Sequence, residues 1–290
     1  MKVIFKRTIF LTIIALIVFT LVASSGTRHH ILSQYNQNSD NCVIVDSLGD
    51  RKQSSQRCTN IPKNITSSTT YFNSERKLTG KLRFLAAITD KLLTIPQSGT
   101  YEYTLLRAYG AAFVNQDPEI KLPTKVIFNN EQETQDFQAT LTMAKVNDSY
   151  DCYLQKAAAD ALNRAKAQVI IPLKSGYGDS DCTRSFTTTV RFWRKYANDI
   201  TLARVRQGEE TKILGTVAPP GSSQHLWGIA IDLRVSNEVQ KQALNRNGWF
   251  RTVENDIPHW TYVGYPPEKL SEFGFKNKVV SGVSYWLTPL

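Results

Sequence analysis

Between Gly221 and Leu233 the chain reads Gly-Ser-Ser-Gln-His-Leu-Trp-Gly-Ile-Ala-Ile-Asp-Leu. Its last five residues alternate, so an extended backbone puts Ile229, Ile231 and Leu233 on one face and Ala230 with Asp232 on the other. The first face has to be core. The second then shows a carboxylate beside a side chain too small to cover it, with His225 delivered by the preceding turn. Gly228 lets that turn bend without a Cβ in the way. A second segment, Glu254-Asn255-Asp256-Ile257-Pro258-His259-Trp260-Thr261-Tyr262-Val263, has the same character. Thr261, Tyr262 and Val263 favour a strand, Pro258 is tolerated only at its start, and His259 therefore opens it.

Two imidazoles and one carboxylate on neighbouring strands form a three-ligand set of the kind a catalytic zinc uses, with a fourth position left to water. A nearby carboxylate, Asp256 or Glu254, could then take a proton from that water. The chain has four histidines, and apart from His29 and His30 near its start both lie in these two segments.

Composition narrows the partners. With 13 Phe, 12 Tyr and 5 Trp the chain carries more aromatic core than a disordered one, and Gly 15 with Pro 11 is too little for a collagenous one. The formal charge of +10 suits an acidic partner: nucleic acid, a membrane surface or an anionic wall polymer. No DNA- or RNA-binding motif supports nucleic acid, and Arg191, Arg194 and Lys195 read as a solvated helix face.

At the amino terminus Lys2, Lys6 and Arg7 precede an apolar run from Ile9 to Ala23, followed by Ser24, Ser25 and Gly26. Residues 1–25 read as an export signal, or as an uncleaved membrane anchor through residues 9–23. The expected location is periplasmic or otherwise associated with the cell envelope. Four cysteines, Cys42, Cys58, Cys152 and Cys182, agree with export, since an even number there usually means disulfides. Three pairings are formally possible. Short loops close at least entropic cost, which favours Cys42 with Cys58 and Cys152 with Cys182.

Residues 26–76 read as a polar arm and 77–147 as a helical or mixed region, with helical spacing from Lys77 to Leu93. From residue 148 to 290 the patterning is stronger. Asp148, Ser149 and Asp151 offer caps to a helix whose stripe is Leu154, Ala158, Ala161, Leu162 and Ala165. A buried strand is expected over Val169–Leu173, and a second helix over Thr188–Tyr196.

Ser223 to Asp232 fits SxHxxGxAxD, and His259 follows an acid by three residues. The chain thereby resembles zinc D-alanyl-D-alanine carboxypeptidases of the VanY type, a group that also includes dipeptidases, endolysins and the hedgehog signalling domain. The resemblance runs from about Asp148 to Phe275. It implies an α+β fold, a small, mainly antiparallel sheet flanked by helices, with 148–290 as a zinc peptidase domain acting on peptidoglycan stem peptides within the anionic wall. It also implies His225, Asp232 and His259 as Zn2+ ligands, Asp256 as the base and Ser223 as a substrate contact, with Tyr177 at the strand end beside the substrate. Trp227 and Trp260 either wall the cleft or belong to the core, and core is the safer reading. The family base is usually Glu, one methylene longer. The family strand end Ser-Gly-Tyr-Arg departs here too: after Lys174-Ser175-Gly176-Tyr177 comes Gly178, and Arg184, beyond a short insertion holding Cys182, is expected to take over the arginine's role toward a substrate carbonyl or carboxylate. Within the family, L,D-carboxypeptidase and endopeptidase activities, or a non-catalytic wall-binding module, are the alternatives.

Overall fold

The computed structural model describes residues 79–290. The signal or anchor, the polar arm, His29, His30, Cys42 and Cys58 lie outside the described residues.

Three helices open the described chain: α1 (Gly80–Ile88), α2 (Tyr101–Tyr109) and α3 (Glu131–Gln138). Thr79, Thr100 and Asn130 each cap one of them, their side-chain oxygens accepting a first-turn N–H. Such a cap is worth about 1 kcal/mol. The helical pattern expected through Leu93 stops at Ile88, and Phe84 with Ile88, an i, i+4 pair, forms the buried stripe.

β1 (Met143–Lys145) and β2 (Tyr153–Gln155) pair antiparallel, with Ala144 opposite Leu154. This pairing corrects the helix expected directly after Asp148. Residues 153–155 are spent on strand bonds, so α4 (Lys156–Lys166) starts at Lys156 and no side chain of the Asp148–Asp151 stretch caps it. Its stripe of Ala158, Ala161, Leu162 and Ala165 is buried as the periodicity requires.

The strand expected over Val169–Leu173 does not form. Only Leu173 bridges Leu233, and Ile170 stays 83% exposed. Pro172 has no N–H to give a ladder; its carbonyl accepts from Arg234, and the Lys174 N–H donates to the Asp232 carbonyl. The segment therefore skirts the sheet edge. Beyond it come α5 (Gly178–Asp181), α6 (Phe186–Tyr196) and α7 (Asp199–Arg206).

The central sheet contains β3 (Ala230–Asp232), β4 (Trp249–Phe250) and β5 (His259–Tyr262) in the order β3-β5-β4, all pairs antiparallel, with α8 (Glu238–Arg246) between the first two. The short helix α9 (Pro267–Glu272) and the hairpin β6 (Lys276–Val280) with β7 (Val283–Leu287) close the chain. The α+β arrangement of small antiparallel sheets and flanking helices is as expected from the sequence. One contiguous core includes Phe84, Leu106 and Phe113 together with Leu162, Trp227, Ile231 and Trp249. Residues 79–147 therefore share a core with the rest, and no break in packing marks residue 148.

Candidate metal centre

β3 and β5 pair with Asp232 directly opposite His259. Opposed residues of an antiparallel pair point to the same face, so the register alone brings this carboxylate and this imidazole together. His225 arrives from the 3-10 turn Gln224–Trp227, which Ser223 caps through its hydroxyl and Gly228 ends at φ 68°. That left-handed conformation, which a Cβ disfavours, turns the chain into β3.

His225 Nε2 lies 3.3 Å from Asp232 Oδ1 and 3.1 Å from His259 Nδ1, and the last edge, His259 Nδ1 to Oδ1, is 3.6 Å. Ligand atoms set 2.0–2.2 Å from a tetrahedral zinc stand about 3.3–3.6 Å apart. The three edges fit one ion with one corner open. His225 Nδ1 meets the Cys182 carbonyl at 2.7 Å. A carbonyl only accepts, so Nδ1 carries the proton and Nε2 offers its lone pair, the arrangement a ligating histidine needs.

Electrostatics agree with ligation. Burial, helped by the Arg184 charge, pushes the His225 imidazole down to about 3, so it is neutral at ordinary pH. Burial alone would raise the Asp232 carboxyl, but the two imidazoles and the Arg184 guanidinium outweigh it and hold the group well below the usual range. Arg184 Nη2 is 2.7 Å from Asp232 Oδ2. The anionic ligand is thus fixed from behind.

A cavity of about 310 Å³ opens over these groups, lined also by Ser223, Asp256, Arg184, Lys174 and Lys195. Burial pushes Asp256 up to about 6, against the pull of His259. Glu254 is not in the lining; its Oε1 is 2.7 Å from Lys278 Nζ. Of the two candidate bases, then, Asp256 is at the cavity. Arg184 does reach it, held by Nε to the Ser180 carbonyl at 2.7 Å and stacked 4.7 Å from the Phe192 ring. Position 178 has no room for an arginine, because a Cβ there would sit 1.4 Å from the Asp151 carbonyl oxygen. Neither Tyr177 nor Trp227, both candidates for substrate contact, is at the cavity, and for Trp227 the core alternative holds. Tyr177 is 72% exposed and outside the lining, while Trp227 is buried against Phe113 with ring centroids 5.2 Å apart.

Four contributors escaped the sequence reading: Lys174 and Lys195 as parts of the cavity wall, the second of them read from sequence as a solvated helix face, the Cys182 carbonyl, and Gln224, whose Oε1 is 2.8 Å from His259 Nε2. Gln224 stands at an unspecified position of the motif, and its adjacency to His225 was the signal available.

Cys152 and Cys182 are bridged, Cα to Cα 5.5 Å. The bridge anchors the inserted loop whose carbonyls hold His225 and Arg184. Replacing both cysteines by alanine is expected to cost about 3–4 kcal/mol of stability, since the closed loop spans 30 residues. That should lower Tm by on the order of 10 °C and also weaken zinc binding. A thermal melt alongside chelator competition checks both effects. Unchanged zinc affinity would show that the carbonyl keeps its place without the bridge.

The family model for VanY, D-alanyl-D-alanine carboxypeptidase, matches residues 151–278. Over that stretch, less than half of its length, the chain is similar to the VanY family. The matched stretch contains His225, Asp232 and His259, Asp256, Arg184 and the disulfide, and begins after α1, α2, α3 and β1. Among solved structures the chain is similar to a variant of the vancomycin-resistance D,D-pentapeptidase VanY from a VanB-type cassette in complex with Zn(II). That match has 19% identity and TM-score 0.31, covering 44% of this chain and 81% of that one. It is also similar to the vancomycin-resistance D,D-dipeptidase VanXYg in complex with a D-Ala-D-Ala phosphinate analogue, at 15% identity and TM-score 0.30, covering 50% of this chain and 72% of that one. No curated protein matches the chain.

Proposed function

We propose that the protein is an exported zinc peptidase of the cell envelope that acts on peptidoglycan stem peptides, releasing a terminal D-alanine as a D-alanyl-D-alanine carboxypeptidase. The observation that carries this reading is the convergence of His225, Asp232 and His259 at a cavity that Asp256 also lines, within the stretch similar to the VanY family.

When bound, zinc supplies Lewis acidity to the scissile carbonyl and to the attacking water. Asp256 takes the proton from that water and hands it to the leaving amine. Arg184 has two N–H groups occupied by Ser180 and Asp232, and its remaining ones meet the developing oxyanion. Lys174, Arg184 and Lys195 give the cavity a cationic wall, which suits a substrate ending in a free carboxylate and favours a carboxypeptidase over an endopeptidase. The overall charge of +10 would draw the protein to an anionic wall.

The test is incubation of the protein with stem pentapeptide. Free D-alanine is expected, abolished by a chelator and restored by zinc. No product, with zinc and wall binding retained, would make the domain a binding module instead; release of a dipeptide would move the cleaved bond inward.

A further inference from the structure

Gln224 is fully buried, and each of its side-chain polar atoms has a partner. Its Nε2 donates to the main-chain carbonyl of Tyr109 at 2.6 Å. Tyr109 is the last residue of α2 and the N-cap of the 3-10 turn Gly110–Val114, so its carbonyl is fixed at the junction of the two. A carbonyl can only accept, so the NH2 end of the amide has to face Tyr109. Turning the amide over would set two oxygens against each other and give up this buried hydrogen bond, at a cost of about 1–3 kcal/mol.

With the amide so fixed, Oε1 points to His259 Nε2 at 2.8 Å and to Thr261 Oγ1 at 2.7 Å. Both must donate. Thr261 spends its hydroxyl proton on Gln224 and accepts from Thr252 Oγ1 at 2.8 Å, so the chain of donors closes without conflict. The proton of a neutral His259 therefore resides on Nε2, and Nδ1 presents a bare lone pair toward His225 Nε2 and Asp232 Oδ1.

We propose that Gln224 is a positioning residue that fixes His259 in its metal-binding tautomer, and that it takes its own orientation from the Tyr109 carbonyl, in the segment preceding the VanY match. This rests on His225, Asp232 and His259 being a metal site. It gives residues 79–150 a part in the chemistry that neither the motif nor the family match contains: one carbonyl of α2 acts on a metal ligand through one amide. Partners of ligating histidines typically change metal affinity by about 10–100-fold when lost.

The test uses the full-length protein. In the zinc-free wild type, ring-nitrogen NMR is expected to find the His259 proton on Nε2. Gln224→Leu, close in size but unable to accept, should give a mixture of tautomers and lower zinc affinity about 10–100-fold by chelator competition. Gln224→Glu keeps the acceptor toward His259 Nε2 and should keep the proton there, but it sets an oxygen against the Tyr109 carbonyl, so its Tm should fall below that of the wild type. A wild-type proton on Nδ1 would overturn the proposal even if Gln224→Leu fails to fold, as would a Leu variant with unchanged tautomer and zinc affinity within twofold. None of these readouts involves substrate, so a protein that holds zinc but releases no D-alanine would fail the peptidase reading and leave this one standing.

Discussion

Asp256→Asn should lower kcat by roughly 10²–10⁴-fold, the usual worth of a general base, while leaving zinc bound. The amide keeps the shape of the side chain and cannot accept the proton. Asp256 lines the cavity but is not among the three converging ligands, so metal content should stay at the wild-type value. D-alanine release and zinc analysis on the same preparation check both halves. If turnover survives, another group is the base, and Glu254 would have to leave Lys278 to serve. The pH profile gives the sign. Burial sets Asp256 at about 6, and the carboxylate is the working form, so kcat/KM should fall as pH drops through that value and level off above it. A bound dication favours the ionised form, which places the acid limb at or below about 6. In the Asn variant that limb should disappear from the residual rate.

His225→Ala should lose both metal and turnover. Four-ligand structural zinc sites bind with about 10–16 kcal/mol, so losing one ligand costs on the order of 3 kcal/mol or more, at least 10²-fold in affinity. The variant also leaves the buried Cys182 carbonyl without its partner, at about 1–3 kcal/mol. Circular dichroism and a thermal melt therefore accompany the zinc measurement to separate metal loss from unfolding. Retention of one zinc per chain by a folded variant would remove His225 from the ligand set and the three-edged geometry with it.

These expectations rest on residues that differ in how openly the sequence displayed them. The strand through Asp232 was legible because alternation has a period of two, and a slip of one residue would bury Asp232 in the apolar face. His259 at the head of a β-branched run was legible for the same local reason. Arg184 could be named only through resemblance, and its placement depends on Gly178 lying against the Asp151 carbonyl. Val169–Leu173 looked like a strand because its residues favour one, yet Pro172 withholds the N–H a ladder needs. Trp227 was open between cleft wall and core and is core, because the side on which a turn residue lands is set by what packs there, here Phe113. Residues 79–147 showed helices but no purpose, since a main-chain carbonyl carries no side-chain signature.

What the sequence determined by itself is the inventory: which residues could be ligands by type, which turn and strands carry them and which cysteines lie close enough in the chain to close a short loop. Those follow from period, propensity and spacing, all of them local. The tertiary structure decided the register that sets Asp232 opposite His259 and the choice of Asp256 over Glu254 at the cavity. It also decided the two carbonyls, of Cys182 and Tyr109, on which the histidine tautomers depend. Each of these is a contact between segments far apart in the chain, and its free energy comes from burial and hydrogen bonds that exist only after the core has closed.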